Sequence, residues 1–165
     1  MLKFFGWVLL VFLLVGCDPP SAHFSIVPRI EYRGFTLAKA KNNKDSLGYL
    51  KVYVEDGDGD LGLNEQDTFP PFNVGSSFYY NFVVKIYQKK GDSWELLPEG
   101  YNGRFPDLNI THEKQPVQAV ITMEMDLSFW KLFLTSSEIK MDVYIYDRAL
   151  HQSNTVSTPA FTLNL

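Results

Sequence analysis

Apolar and polar residues alternate with a period of two along several stretches of this chain. In 46–55, Leu50, Val52 and Val54 fall on one side and Lys51, Tyr53 and Glu55 on the other. Such alternation puts every second side chain on one face and predicts a half-buried strand. The pattern recurs in 78–89 (Phe82, Val84 and Ile86 inward), in 116–127 (Val117, Ala119, Ile121 and Met123 inward) and in 138–147 (Met141, Val143 and Ile145 inward). Apolar runs at 23–40 and 155–165 predict strands near both ends, the first broken into edge-like pieces by Pro28 and Gly34. Lys90-Gly91-Asp92 predicts a turn into a hairpin strand at 93–97. Residues 129–134 are densely apolar but too few for periodicity to separate a helical turn from a strand. Residues 63–77 form a long connection in which Phe69, Phe72 and Val74 are expected to pack. About seven or eight short strands and no long helical period predict an all-β, Ig-like antiparallel β-sandwich.

One stretch breaks the alternation. Directly after the 46–55 strand comes Glu55-Asp56-Gly57-Asp58-Gly59-Asp60-Leu61-Gly62. Three carboxylates within five residues repel one another unless a cation or a set of donors cancels the charge. Hard divalent cations take six to eight oxygen ligands, which points to Ca²⁺. The spacing opens like an EF-hand loop. Counted from Asp56, however, Leu61 stands where the invariant Gly is required and Asp67 where the bidentate Glu is required, and no helices flank it. A loop at one end of a sandwich fits better. In Ig-like order the strands at 46–55, 78–89, 138–147 and 155–165 are B, C, F and G, so the B–C and F–G loops share an end. Asp147 has the inward parity of Met141, Val143 and Ile145 and needs a partner there. It is expected to face the aspartate loop, either as a fourth metal ligand beside Asp56, Asp58 and Asp60 or as an acceptor of loop N–H groups. Against the metal stands an ion-free turn braced by Arg148 or a lysine, since Asp-Gly pairs are good turn formers. Zn²⁺ is disfavoured because no His or Cys accompanies the carboxylates.

Composition adds a cellular address. Lys3 precedes an apolar run at 4–15 and a small residue before Cys17, the only cysteine, which is the order of a secretory signal. The single Cys excludes an intramolecular disulfide. Leu14-Val15-Gly16-Cys17 resembles the lipobox of bacterial lipoproteins. The resemblance implies cleavage after Gly16, acylation of Cys17 and a lipid-anchored protein of the bacterial cell envelope, at the outer membrane or the periplasmic face of the inner one. The organisation is then signal peptide 1–16, acylated Cys and tether 17–22, and sandwich domain 23–165. Net charge is −4 for the whole chain, and loss of Lys3 makes it one unit more negative. No basic cluster invites nucleic acid.

Three further segments resemble one family. They are Val54 through Leu63, Pro70-Pro71-Phe72-Asn73, and the run from Tyr144 through Pro159 that contains Asp147-Arg148-Ala149 and Ser153-Asn154. Together they are similar to small Bacteroidota lipoproteins with a single Ig-like domain and no assigned function. That resemblance implies a fold and a location, and little chemistry.

The remaining features are weighed for chemistry. His23, His112 and His151 are scattered and accompany no nucleophile motif, and Gly75-Ser76-Ser77 is not a nucleophile elbow. No enzyme is expected. Tyr87, Tyr144 and Tyr146 share the outward parity of neighbouring strands and form a candidate binding face for a protein or glycan. The alternative is that they are ordinary strand residues covered by 129–134. The expected function is a lipid-anchored interaction or adhesion module with a structural Ca²⁺ site. The alternatives are a structural envelope lipoprotein without metal or ligand, and an enzyme whose site sequence does not reveal.

Overall fold

The computed structural model describes residues 24–109, 111 and 113–165. Cys17, the leader, the tether and two of the histidines, His23 and His112, lie outside them.

The described residues form eight strands: β1 (Arg29–Lys39), β2 (Asp45–Asp56), β3 (Phe82–Lys90), β4 (Ser93–Leu96), β5 (Val117–Asp126), β6 (Glu138–Ile145), β7 (Val156–Ser157) and β8 (Phe161–Thr162). Two antiparallel sheets result. One has the order β1-β2-β5; the other has the order β4-β3-β6-β7, with β8 also on β6. This is the A-B-E and C′-C-F-G partition of an Ig-like sandwich. The alternation explains the packing. Leu50, Val52 and Val54 of β2 and Ile121 of β5 meet Phe82, Val84, Met141, Val143 and Ile145 of the opposite sheet in one buried core.

The ends of the elements differ from expectation in physically informative ways. β1 is one continuous strand. A register shift between Tyr32 and Gly34 leaves Arg33 as the extra residue of a bulge, and Gly34, whose φ is +146°, resumes the pairing opposite Lys51, so the strand does not break. The last strand is two short pieces, because Thr158 and Pro159 interrupt it. Residues 130–132 make a single 3-10 turn. β3 begins at Phe82, not at residue 78.

The 63–81 connection is ordered by its backbone more than by its apolar side chains. Phe69 and Val74 are 78% and 77% exposed, contrary to the expected packing. Arg104 ties the segment instead. Its Nη1 donates to the carbonyls of Phe72 (3.2 Å) and Tyr79 (2.8 Å), and its Nη2 to those of Asn64 (3.3 Å) and Asp67 (3.1 Å). A guanidinium fork is the one side chain with enough donors for this. Arg104→Met strips all four carbonyls of this donor. Because water can replace part of the bonding, the expected cost is about 2 kcal/mol, read by urea unfolding, with faster proteolysis inside 64–79.

Register fixes the two ends of the sandwich. Asp56 pairs with Val117 at one end of β2, and Leu47 with Asp126 near the other. Gly57 N–H donates to Ser25 O at 2.8 Å, so the start of the described chain lies beside the aspartate loop. Tyr146 N–H donates to Asn81 O, placing the end of β6 there as well.

Candidate metal centre

The carboxylates of Asp56, Asp58 and Asp60 converge. One oxygen from each lies within 4.8 Å of the others. The sandwich dictates this closely. Asp56 is the last residue of β2, on its inward face and fully buried. Its Oδ2 accepts N–H bonds from Gly59 (2.9 Å) and Asp60 (3.2 Å), which folds the loop back over the strand end. Asp60 Oδ2 accepts from Ala149 N (3.0 Å), and its carbonyl from Arg148 N (3.1 Å). In both residues one oxygen is consumed by backbone and the other turns to the cluster. The Oδ1 atoms of Asp56, Asp58 and Asp60 are all shielded from solvent, and none receives a hydrogen bond. Buried polar oxygens are nearly always satisfied. Converging carboxylates with unsatisfied oxygens are a donor set that a hard cation could use.

The glycines make the geometry possible. Gly59 has φ +69°, and a Cβ there would stand 2.2 Å from Gln115 O. The loop is therefore wedged against the connection entering β5. Within the loop, Asp56 and Gly59 are buried, and Gly57, Asp58 and Asp60 are half-buried.

Asp147 is at the expected end and on the inward side, 2% exposed. It does not join the three-oxygen cluster. Its partner is His151 instead: Oδ1 accepts His151 N–H at 2.7 Å and Oδ2 lies 2.8 Å from His151 Nδ1. The N–H groups it collects come from its own turn and not from the aspartate loop; between the two loops the donation runs the other way, from 148 and 149 into Asp60. The Arg148 side chain feels the Asp60 charge but directs its hydrogen bonds elsewhere. It forms a bidentate pair with Asp67, at 2.5 and 2.9 Å. Sequence reasoning named neither Asp67 in this role nor His151, although the i,i+4 spacing of Asp147 and His151 was a usable signal.

Electrostatics follow from this crowding. Burial, then the charges of Asp58 and Asp60, push the Asp56 carboxyl up to about 7 despite the Gly59 N–H. Burial, then Asp147 and Asp58, push Asp60 up to about 6. Burial also raises Asp147, against the opposing pull of His151. His151 is raised by its bond to Asp147. The stability consequence has a definite sign. Free Asp titrates near 3.9, so between about pH 4 and 7 the metal-free fold holds more protons than the unfolded chain. Its stability therefore rises as pH falls from 7 towards 4 and is lost as pH climbs back through 6 and 7. Thermal melts in chelator should show the midpoint several degrees higher at pH 5 than at pH 7.5. A cation held by these carboxylates would compete with those protons, and excess Ca²⁺ would then invert the slope.

The three tyrosines do not form one stripe. Tyr144 and Tyr146 meet edge to face at 5.6 Å, with Phe78 against Tyr146 at 5.1 Å. Tyr87 belongs to a second group, where Lys140 Nζ stands 5.4 Å from its ring centroid and 5.1 Å from that of Trp94. Lys85 similarly covers Tyr144. Residues 129–134 do not cover these rings. Phe129, Trp130 and Leu132 wall an apolar cavity of about 490 Å³ with the inward-facing Ile86 and Leu97.

Comparison with protein-family models, with curated proteins and with solved structures returns no match for this chain.

Proposed function

We propose that the chain is a non-enzymatic interaction module of the bacterial cell envelope, lipid-anchored through Cys17, whose β2–β3 loop holds one structural Ca²⁺ ion. The observation that carries the metal reading is the convergence of the Asp56, Asp58 and Asp60 carboxylates, each with a shielded Oδ1 that no hydrogen bond satisfies. Ca²⁺ suits them better than Mg²⁺, which keeps several waters and demands strict octahedral geometry. Remaining positions fall to loop carbonyls or water. We read the role as structural because the Oδ1 atoms are shielded and the loop folds back over the end of β2.

The Asp147–His151 pair is the arrangement that most resembles part of a catalytic triad. The bonds described for both residues close the 147–151 turn: Asp147 N–H donates to His151 O, and Leu150 N–H to Asp147 O. A turn brace accounts for the pair without a reaction. The partner is proposed as a protein or a glycan, and the split tyrosine face favours neither.

Melting the full chain in Ca²⁺, in Mg²⁺ and in chelator tests the metal. A rise with Ca²⁺ well above that with Mg²⁺ supports it; identical midpoints in Ca²⁺ and chelator sink it. Cys17→Ser should move the protein from the membrane to the soluble fraction. If it stays with the membrane, the anchor is misassigned.

A further inference from the structure

The aspartate cluster and the 63–81 connection are joined by one short path of bonds. Asp60 Oδ1 faces the cluster, while Asp60 O and Oδ2 hold the backbone N–H groups of Arg148 and Ala149. The Arg148 guanidinium, 5.9 Å from the Phe72 ring centroid, grips both oxygens of Asp67. Asp67 Oδ2 also accepts Asn64 N–H at 2.7 Å, which closes the first turn of the connection. Beyond that turn the segment carries Phe69 and Val74, two of the most exposed large apolar side chains among the described residues.

From this path we infer that cation occupancy at Asp56, Asp58 and Asp60 controls the order of the 63–81 connection, with Arg148 as the positioning residue that links them. The inference rests on the metal reading above. Without a cation, three carboxylates within 4.8 Å repel, and the cheapest relief is displacement of Asp60 at the far end of the loop. Asp60 carries the two acceptors that seat residues 148 and 149. Once they loosen, the guanidinium is no longer aimed at Asp67, and the 64–67 turn loses its bidentate partner. Arg104 still gathers carbonyls from the segment, so the connection stays attached and becomes mobile rather than detached. With the cation bound, the path is taut and Phe69 and Val74 are held at fixed positions.

Amide hydrogen exchange on the full chain tests this, with Ca²⁺ binding measured in parallel by calorimetry. In the native protein, Ca²⁺ should slow exchange across 64–76 by about tenfold, including the amides of Asn64, Phe72 and Ser76. Arg148→Met removes the guanidinium and keeps the backbone N–H that Asp60 accepts. It should still bind Ca²⁺, weakened by no more than the coupling factor, as reciprocity requires, while exchange across 64–76 becomes independent of Ca²⁺. Asp67→Asn, which keeps an acceptor for Asn64, should behave the same way and guards against misfolding of the first variant. Ca²⁺ binding with unchanged exchange in the native protein would overturn the coupling and leave the metal site standing. Ca²⁺-dependent protection that survives in both variants would remove Arg148 from the path. Absence of Ca²⁺ binding in the native protein would overturn both readings together.

Discussion

Asp58→Asn should stabilise the protein in chelator and destabilise it, relative to the native chain, in calcium. The opposite signs come from one set of oxygens. At an effective dielectric of about 20, two like charges within 4.8 Å of one another repel by at least about 3 kcal/mol. Asp58 faces two such neighbours. Proton uptake by Asp56 and Asp60 relieves part of the repulsion, so neutralising Asp58 should gain about 1 kcal/mol without metal, or roughly 2–4 °C in the midpoint. In calcium the balance reverses. A cation at a hundred times its dissociation constant stabilises the fold by about 2.7 kcal/mol, which is roughly 5–10 °C at the same conversion. Asn keeps an oxygen but loses the charge on which affinity depends. The two melting curves should therefore cross: the variant is higher in chelator, the native chain higher in calcium. A variant that is lower in both conditions would show that Asp58 matters for packing and not for charge.

Gly59→Ala should be strongly damaging for a change of one methyl group. Two costs combine. A non-glycine residue at φ +69° pays roughly 1–2 kcal/mol in the left-handed region. The added Cβ would then meet Gln115 O at 2.2 Å, a backbone atom that cannot swing aside. The loop or the β5 entrance must shift, and either movement breaks the Asp56 Oδ2 bonds to Gly59 and Asp60. A total near 3 kcal/mol is expected, within the range of strained and clashing sites, with calcium affinity lost as well. Gly75→Ala is the control. Its φ of +85° carries the same backbone strain, but nothing lies within 4 Å of the new Cβ, so it should cost only about 1 kcal/mol and leave calcium binding intact. Equal effects from the two changes would mean that the clash at residue 59 is not felt. Chemical denaturation with calorimetry separates the cases.

Much of the architecture was legible in the chain because burial is one-sided. The parity of Leu50, Val52 and Val54, and of Met141, Val143 and Ile145, is visible wherever one sheet face packs and the other meets water. The same parity put Asp147 indoors at the correct end. What parity does not encode is the partner of an inward carboxylate. Asp147 turned to His151 four residues on, a local pairing that tertiary reasoning passed over in favour of a long-range one. The 63–81 connection departs from its apolar pattern for a related reason. Apolar residues in a loop suggest packing, but here the segment is secured by arginine forks on carbonyls, and carbonyls are present at every residue and leave no trace in sequence. Gly59 and Gly62 were legible as turn formers. Their tighter requirement, close approach to the backbone at Gln115 and at Pro106, depends on neighbours more than forty residues away in the chain.

The central claim is that one calcium ion sits among the Oδ1 atoms of Asp56, Asp58 and Asp60. A crystal grown in calcium, with anomalous scattering used to place the ion, addresses it most directly. A single peak lying about 2.3–2.6 Å from all three oxygens, the range of calcium–oxygen bonds, is the predicted result. No peak at saturating calcium, or a peak ligated by other side chains while these three oxygens hydrogen-bond to one another through protons or water, would contradict it.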